Sequence, residues 1–300
     1  MPGRSSLAGT GLIRLGVTLW LGATLSASAA DSAGRPFRVL CSFYPMYVMA
    51  LNVAQDIPGV EVRCMTESST GCLHDYQLAP TDLKALTAAD VFVANGGGME
   101  MFVEKALRQS PKLKVIEASQ GIELAFHQNP HVWLSLGGAI QETRTIAAGL
   151  AAADPRHAGA YTTNAAAYID RIERLRHEMH AALDGAKHRD IITFHEAFPY
   201  FAAEFNLRVA AVIEREPGSE PNAGELAKTI TTVRQAGVRA IFAEPQYPGK
   251  SAEIIQRETG VPVRTLDPAV TGPREPEQAR DSYLRTMRKN LEVLAEALRE

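Results

Sequence analysis

From residue 36 onward the chain alternates between two hydrophobic periods. "FRVLCSF" is a short, nearly unbroken apolar run of the kind a buried strand carries, and after Pro45 the stretch "PMYVMALNVAQ" takes helical spacing. "VEVRCM" predicts the next strand, "PTDLKALTAAD" a short helix and "VFVANGGG" a strand ending in glycines. "MEMFVEKALRQ" is helical and "KLKVIEA" returns to strand. Strands and helices that alternate in this way predict βαβ units and a parallel sheet.

Residues 154–183 break the rhythm. "DPRHAGAYTTNAAAYIDRIERLRHEMHAAL" contains no strand pattern, and Ile169, Ile172, Leu175, Met179 and Leu183 form a helical stripe with charges between them. Asp154-Pro155 reads as an N-cap followed by the first helical position, and Asp184-Gly185 as the stop. At ~1.5 Å per residue this helix would be about 40 Å long, enough to act as a rigid strut. The alternation then restarts with "DIITFH", "EAFPYFAAEFN", "LRVAAVI" and "NAGELAKTITTVRQAG", the last capped by Asn222 with Glu225 three residues on. "RAIFAEP", "SAEIIQRETG", "VPVRTLD" and a C-terminal helix complete it. The expected architecture is therefore α/β, with two parallel-sheet lobes at 36–153 and 187–300 joined by a long helix at 154–186.

The first thirty residues belong to neither lobe. Arg4 and Arg14 precede the apolar "LGVTLWLGATL" and the small-residue "SASAA", the order of a cleavable export signal ending near Ala29 or Ala30. The apolar run is too short to span a bilayer. No cysteine adjoins the cleavage point, and Cys41 follows "RPFRVL" without the small residue a lipid anchor needs, so a soluble periplasmic protein that is not a lipoprotein is expected. Losing two Arg with this segment takes the formal charge from −3 to −5. With no basic stripe in the remainder, nucleic acid and anionic membrane are not expected partners. Three cysteines, Cys41, Cys64 and Cys72, leave at least one thiol unpaired, and a Cys64–Cys72 bridge stays open on spacing alone.

Ligands of open α/β sheets bind at the carboxyl ends of strands, so the polar residues there carry the candidate chemistry. His195 ends "DIITFH", Glu244 ends "RAIFAE" and Asp267 ends "VPVRTLD"; His74 follows the second strand in "GCLHDYQ", and His131 lies in "NPHVWLS". One histidine at a strand end is more often a hydrogen-bonded structural residue than a ligand. Together, His74, His131, His195 and Asp267 can converge on the crevice between the lobes as a three-imidazole, one-carboxylate site for a divalent transition metal. His195-Glu196 also opens the H-E-x-x-H pattern of zinc proteases, but Pro199 stands where the second histidine belongs. "NGGGME" lacks the Lys-Ser/Thr of a phosphate loop and reads as a turn.

Taken together and in order, "LHDYQLAPTDLKAL", "NPHVWLS", "FHEAFPYFAAEFNL", "FAEPQYPGKSAEIIQRETG" and "VRTLDP" resemble the zinc/manganese substrate-binding proteins of ABC importers over nearly all of residues 36–300. That resemblance implies two lobes joined by a rigid helix, and it puts the metal on His74, His131, His195 and Asp267. It implies a monomeric receptor that captures Zn²⁺, or Mn²⁺ as the alternative, and delivers it to a membrane permease without chemical conversion. A secreted zinc hydrolase and a metal-binding surface adhesin are the rival readings. Two departures stand out. Asn129 occupies a position where relatives often carry Asp, and the His-rich loop of many zinc receptors is absent, with only His127 in that region.

Overall fold

The computed structural model describes residues 35–73, 76–213, 221–245 and 250–299. The expected export signal at 1–30 and the candidate ligand His74 lie outside the described residues. The first half contains β1 (Phe37–Cys41), α1 (Tyr44–Val53), β2 (Val60–Cys64), α2 (Pro80–Ala88), β3 (Val91–Ala94), α3 (Glu104–Arg108), β4 (Lys114–Glu117) and α4 (Leu136–Ala153). The long α5 (Ala158–Leu183) follows. Beyond it come β5 (Asp190–Thr193), α6 (Pro199–Glu204), β6 (Arg208–Val212), α7 (Ala223–Ala236), β7 (Ile241–Ala243), α8 (Lys250–Thr259), β8 (Val263–Thr265), α9 (Pro276–Ala279) and α10 (Ser282–Arg299).

Every strand pairing among the described residues is parallel, as the alternation predicts. One sheet has the order β2-β1-β3-β4 and the other β6-β5-β7-β8. Counted from the start of each half the two orders are the same, so the lobes share topology as well as rhythm. The direction of winding reverses between β1 and β3 in one sheet and between β5 and β7 in the other, and these switch points are where open α/β sheets leave a crevice. The sequences suit their places. "VFVA" of the inner strand β3 is fully buried, whereas the edge strands "VEVRC" and "KVIE" carry the charges that keep an edge from pairing further.

α1 is apolar nearly all round, and all its residues are buried among the first sheet, α4, α5 and α10. At ~1.5 Å per residue the 26 residues of α5 span about 39 Å. Its buried stripe, Tyr161, Ala165, Tyr168, Ile172, Leu175 and Met179, steps by three or four residues. The helix does not start as expected. Asp154 accepts from His157 Nδ1 at 2.6 Å and from the Tyr161 hydroxyl at 3.2 Å instead of capping backbone amides. The first turn, Pro155–His157, is wound as a 3-10 turn.

Residues 36–300 form one unit, and the last part of the chain is what ties it together. After β8 the chain returns to the first lobe. Trp133 Nε1 donates to the Pro268 carbonyl at 2.9 Å, the Tyr44 hydroxyl to that of Pro273 at 3.0 Å, and the Tyr283 hydroxyl to that of Trp133 at 2.8 Å. Gly272 passes so close to Tyr44 that a Cβ there would lie 2.3 Å from its hydroxyl oxygen. α10 then packs on α5 and α1. A single buried cluster accordingly runs from Phe43 and Trp133 in the first lobe to Phe198 and Phe242 in the second.

Candidate metal centre

The second lobe presents its polar groups in strand order. His195 stands two residues beyond β5 and Glu244 one residue beyond the adjacent β7; Asp267 stands two residues beyond β8, the next strand over. Residues 195–198 precede α6, which Pro199 opens at its first turn, so His195-Glu196 is not on a helix and the zinc-protease geometry does not arise. His195 and Glu244 are both buried, with His195 Nδ1 3.1 Å from Glu244 Oε1.

The first lobe reaches the same place through loops. His131 follows a segment in which Phe126, His127 and Gln128 have φ of 53°, 61° and 64°. Three successive non-glycine residues in the left-handed region cost ~1–3 kcal/mol each unless held. Here Tyr200 of α6 holds them, its hydroxyl accepting from Ala125 N at 3.0 Å and donating to the Asn129 carbonyl at 2.7 Å. Asn129 makes a second bridge, donating from Nδ2 to the Glu196 carbonyl at 2.8 Å. That bond orients the amide so that Oδ1 receives both the His131 backbone N–H and His131 Nδ1, each at 3.0 Å. Glu196 thus meets the site through its backbone. The exposed His127 stays outside it.

Each imidazole therefore has an oxygen acceptor at Nδ1, which puts the proton there and the lone pair on Nε2. The rings lie 4.9 Å apart at 83°. Between them comes a residue that the strand-end argument did not select. Cys72 Sγ is 3.8 Å from His131 Nε2, and one ligand atom from each of Cys72, His131 and His195 lies within 4.8 Å of the other two. All three side chains are buried. The Cys64–Cys72 bridge does not form: all three cysteines are thiols, Cys64 pairs in register with Cys41 across β1 and β2, and Cys72 faces the imidazoles.

Of the four expected ligands, His131 and His195 come together. Asp267 lies outside the tight cluster found among the described residues, with its Oδ1 accepting from Ala269 N at 2.8 Å and its backbone N donating to Asn290 at 2.9 Å. Burial raises the pKa of Glu244 against the pull of His195, with the Asp267 charge adding to the rise. Burial likewise raises Asp267 and the Cys72 thiol. The "NGGGME" turn is closed from inside: Glu100 accepts from Asn95 N at 2.7 Å, Gly96 N at 3.0 Å and Ser42 Oγ at 2.8 Å, so a carboxylate already occupies the amides a phosphate would need.

Two parallel-sheet lobes of one topology, meeting over a buried group of nitrogen and sulfur donors, are the make-up of a two-lobed metal-binding receptor. The chain belongs to the ZnuA family, described as the periplasmic component A of the zinc-uptake complex, whose model matches residues 39–297. The family is one of extracytoplasmic receptors of ABC importers, not of enzymes. The chain is similar to the high-affinity zinc uptake protein ZnuA of Bacillus subtilis, with 28% identity covering 92% of each. It is also 28% identical to the zinc-binding lipoprotein AdcA of Streptococcus pneumoniae over 90% of this chain, but spans only 57% of AdcA. Among solved structures it resembles the substrate-binding protein FpvC of Pseudomonas aeruginosa in complex with Ni²⁺, with a TM-score of 0.79 and 33% identity over 88% of this chain and 97% of FpvC.

Proposed function

We propose that this protein captures a divalent transition metal outside the cytoplasmic membrane, Zn²⁺ in preference to Mn²⁺, and hands it to an ABC permease. His74 and His131 from the first lobe and His195 and Asp267 from the second are the proposed ligands. The observation that carries the reading is the paired arrangement of His131 and His195. Each ring meets an oxygen from its own lobe at Nδ1, and the two rings lie 4.9 Å apart where the lobes meet, which turns both Nε2 edges toward the same place. Imidazole suits zinc, whereas manganese favours oxygen ligands, and that ranks the two metals. Because both lobes donate, the bound ion ties 36–153 to 187–300, and the helix at 154–186 limits how far they part.

The export signal is proposed to be residues 1–30, leaving a monomer without lipid. The one cysteine near that segment, Cys41, is the buried end of β1, which supports this reading over an anchored one even though AdcA is a lipoprotein. Mass spectrometry of the exported N-terminus and sedimentation of the exported protein test both points. A diacylglycerol adduct would overturn the first and a stable dimer the second. The function itself is tested by elemental analysis of the purified protein and competition calorimetry on stripped protein. One zinc per chain, displaced poorly by Mn²⁺, is expected, and His195→Ala should lose zinc binding with the fold kept. Tighter Mn²⁺ than Zn²⁺ binding, or undiminished zinc affinity in His195→Ala, would overturn the reading.

A further inference from the structure

We infer that Cys72 is a metal ligand, so that the ion captured here is held by a thiolate as well as by imidazoles. The inference rests on the reading of His131 and His195 as metal ligands. It adds a donor that neither the strand-end rule nor the resemblance assigns.

The geometry is that of a donor set and not of an isolated thiol. Cys72 Sγ lies 3.8 Å from His131 Nε2, the nitrogen that carries the lone pair once Nδ1 is bound to Asn129. The sulfur, one nitrogen of His131 and one of His195 all fall within 4.8 Å of one another, a separation that a single ion with ligand distances of about 2.0–2.3 Å can bridge with small side-chain shifts. The other two cysteines differ in setting: Cys41 and Cys64 lie side by side on neighbouring strands and, among the described residues, belong to no such group.

The chemistry of capture follows. When the metal enters, the Cys72 S–H bond breaks, the sulfur lone pair forms the metal–sulfur bond, and the proton leaves to solvent. No oxidant or reductant is involved. A thiolate is a soft donor that favours zinc and disfavours manganese, so Cys72 sharpens the preference that imidazoles alone would set.

Cobalt(II) reports the difference directly, because a cobalt–thiolate bond adds a near-ultraviolet charge-transfer band to the visible d–d bands. Stripped protein comprising residues 31–300 is titrated with Co²⁺, alongside Cys72→Ser and Cys72→Ala, each checked for an unchanged melting profile without metal. The wild type should show both sets of bands, and both variants should lose the charge-transfer band while retaining d–d bands. In the same variants zinc affinity should fall by more than the ~10–100-fold that loss of a ligand's hydrogen-bonding partner costs. The ratio of zinc to manganese affinity should fall with it, and one fewer proton should be released per zinc. Cobalt bound to the wild type without the charge-transfer band, or a band that persists in both variants, overturns the role of Cys72 and leaves the receptor reading intact. A wild type that binds no cobalt at all overturns both.

Discussion

His195 Nδ1 and Glu244 Oε1 stand 3.1 Å apart at the carboxyl ends of adjacent parallel strands, both side chains buried. The carboxylate fixes the proton on Nδ1 and turns the ring so that Nε2 carries the lone pair. Glu244→Ala is expected to weaken zinc binding by about 10–100-fold. Glu244→Gln should weaken it less, because an amide oxygen still accepts from Nδ1–H. Calorimetry on the two variants checks this, and wild-type affinity in the alanine variant would show that Glu244 does not position His195.

Asn129 does for His131 what Glu244 does for His195, and in addition bonds across to the second lobe through Nδ2. An aspartate keeps the first role and cannot perform the second, since its oxygen would face the Glu196 carbonyl. Asn129→Asp is therefore expected to keep or improve zinc affinity while losing ~1–3 kcal/mol of stability, a drop in Tm of several degrees. Zinc titration and thermal melting separate the two effects. A variant as stable as the wild type would remove the bridge from the account.

Tyr200 anchors the left-handed run at Phe126–Gln128 by accepting from Ala125 and donating to Asn129. Tyr200→Phe should leave that loop strained without its partner. The expected outcome is faster zinc release, read by stopped-flow transfer to a chelator, with little change in the secondary structure. Unchanged release would place the hold elsewhere in the loop.

Trp133 lies 5.1 Å from the His131 ring and is the one tryptophan once residues 1–30 are removed, so its fluorescence should report metal binding. Protons compete with the ion for every donor, and burial raises the carboxyls of Asp267 and Glu244, so they protonate earlier on acidification than ordinary carboxyls. Affinity should be high at neutral pH and fall more than ~10-fold by about pH 5, with protons taken up as metal leaves. Equal affinity at the two pH values would contradict an imidazole-based site.

Glu142 on α4 is fully buried, and among the described residues neither carboxylate oxygen has a hydrogen-bond partner. Burial raises its pKa well above the usual range, and the nearby Glu100 adds to the rise; Glu100 itself is pushed up to about 7, chiefly by burial. A raised native pKa means that the folded state binds more protons than the unfolded one above about pH 4.3. The stability contributed is present below that pH and is lost as pH climbs through the native values. Glu142→Gln should thus match the wild type near pH 4 and exceed it at pH 8 by more than ~1 kcal/mol, or ~2–4 °C in Tm. Melting curves across that range test it, and a variant less stable at pH 8 would mean that Glu142 has a partner that a neutral amide cannot replace.

Much of this molecule can be read from residue order alone, for a definite reason. Strand and helix periods are set by side chains a few positions apart, so β1 to β8 and the helices between them stand out. The same holds for the cap at Asn222, whose side chain accepts from Gly224 N and Glu225 N as its spacing with Glu225 suggests. His195, Glu244 and Asp267 were also within reach, because each directly follows a strand and a parallel sheet brings its strand ends to one edge. Local order could not give what depends on chain separation. Cys72 and His131 are 59 residues apart, and their meeting depends on a left-handed loop anchored by Tyr200 on the other lobe. A cysteine in a loop looks the same in sequence whether it packs, bridges or binds. Asn129 reads as a lost charge until its Nδ2 is seen on the Glu196 carbonyl. Asp154 reads as a helix cap until its carboxylate is found on His157 and Tyr161. In each case a polar side chain had several partners within reach, and only the packing of distant segments selected one.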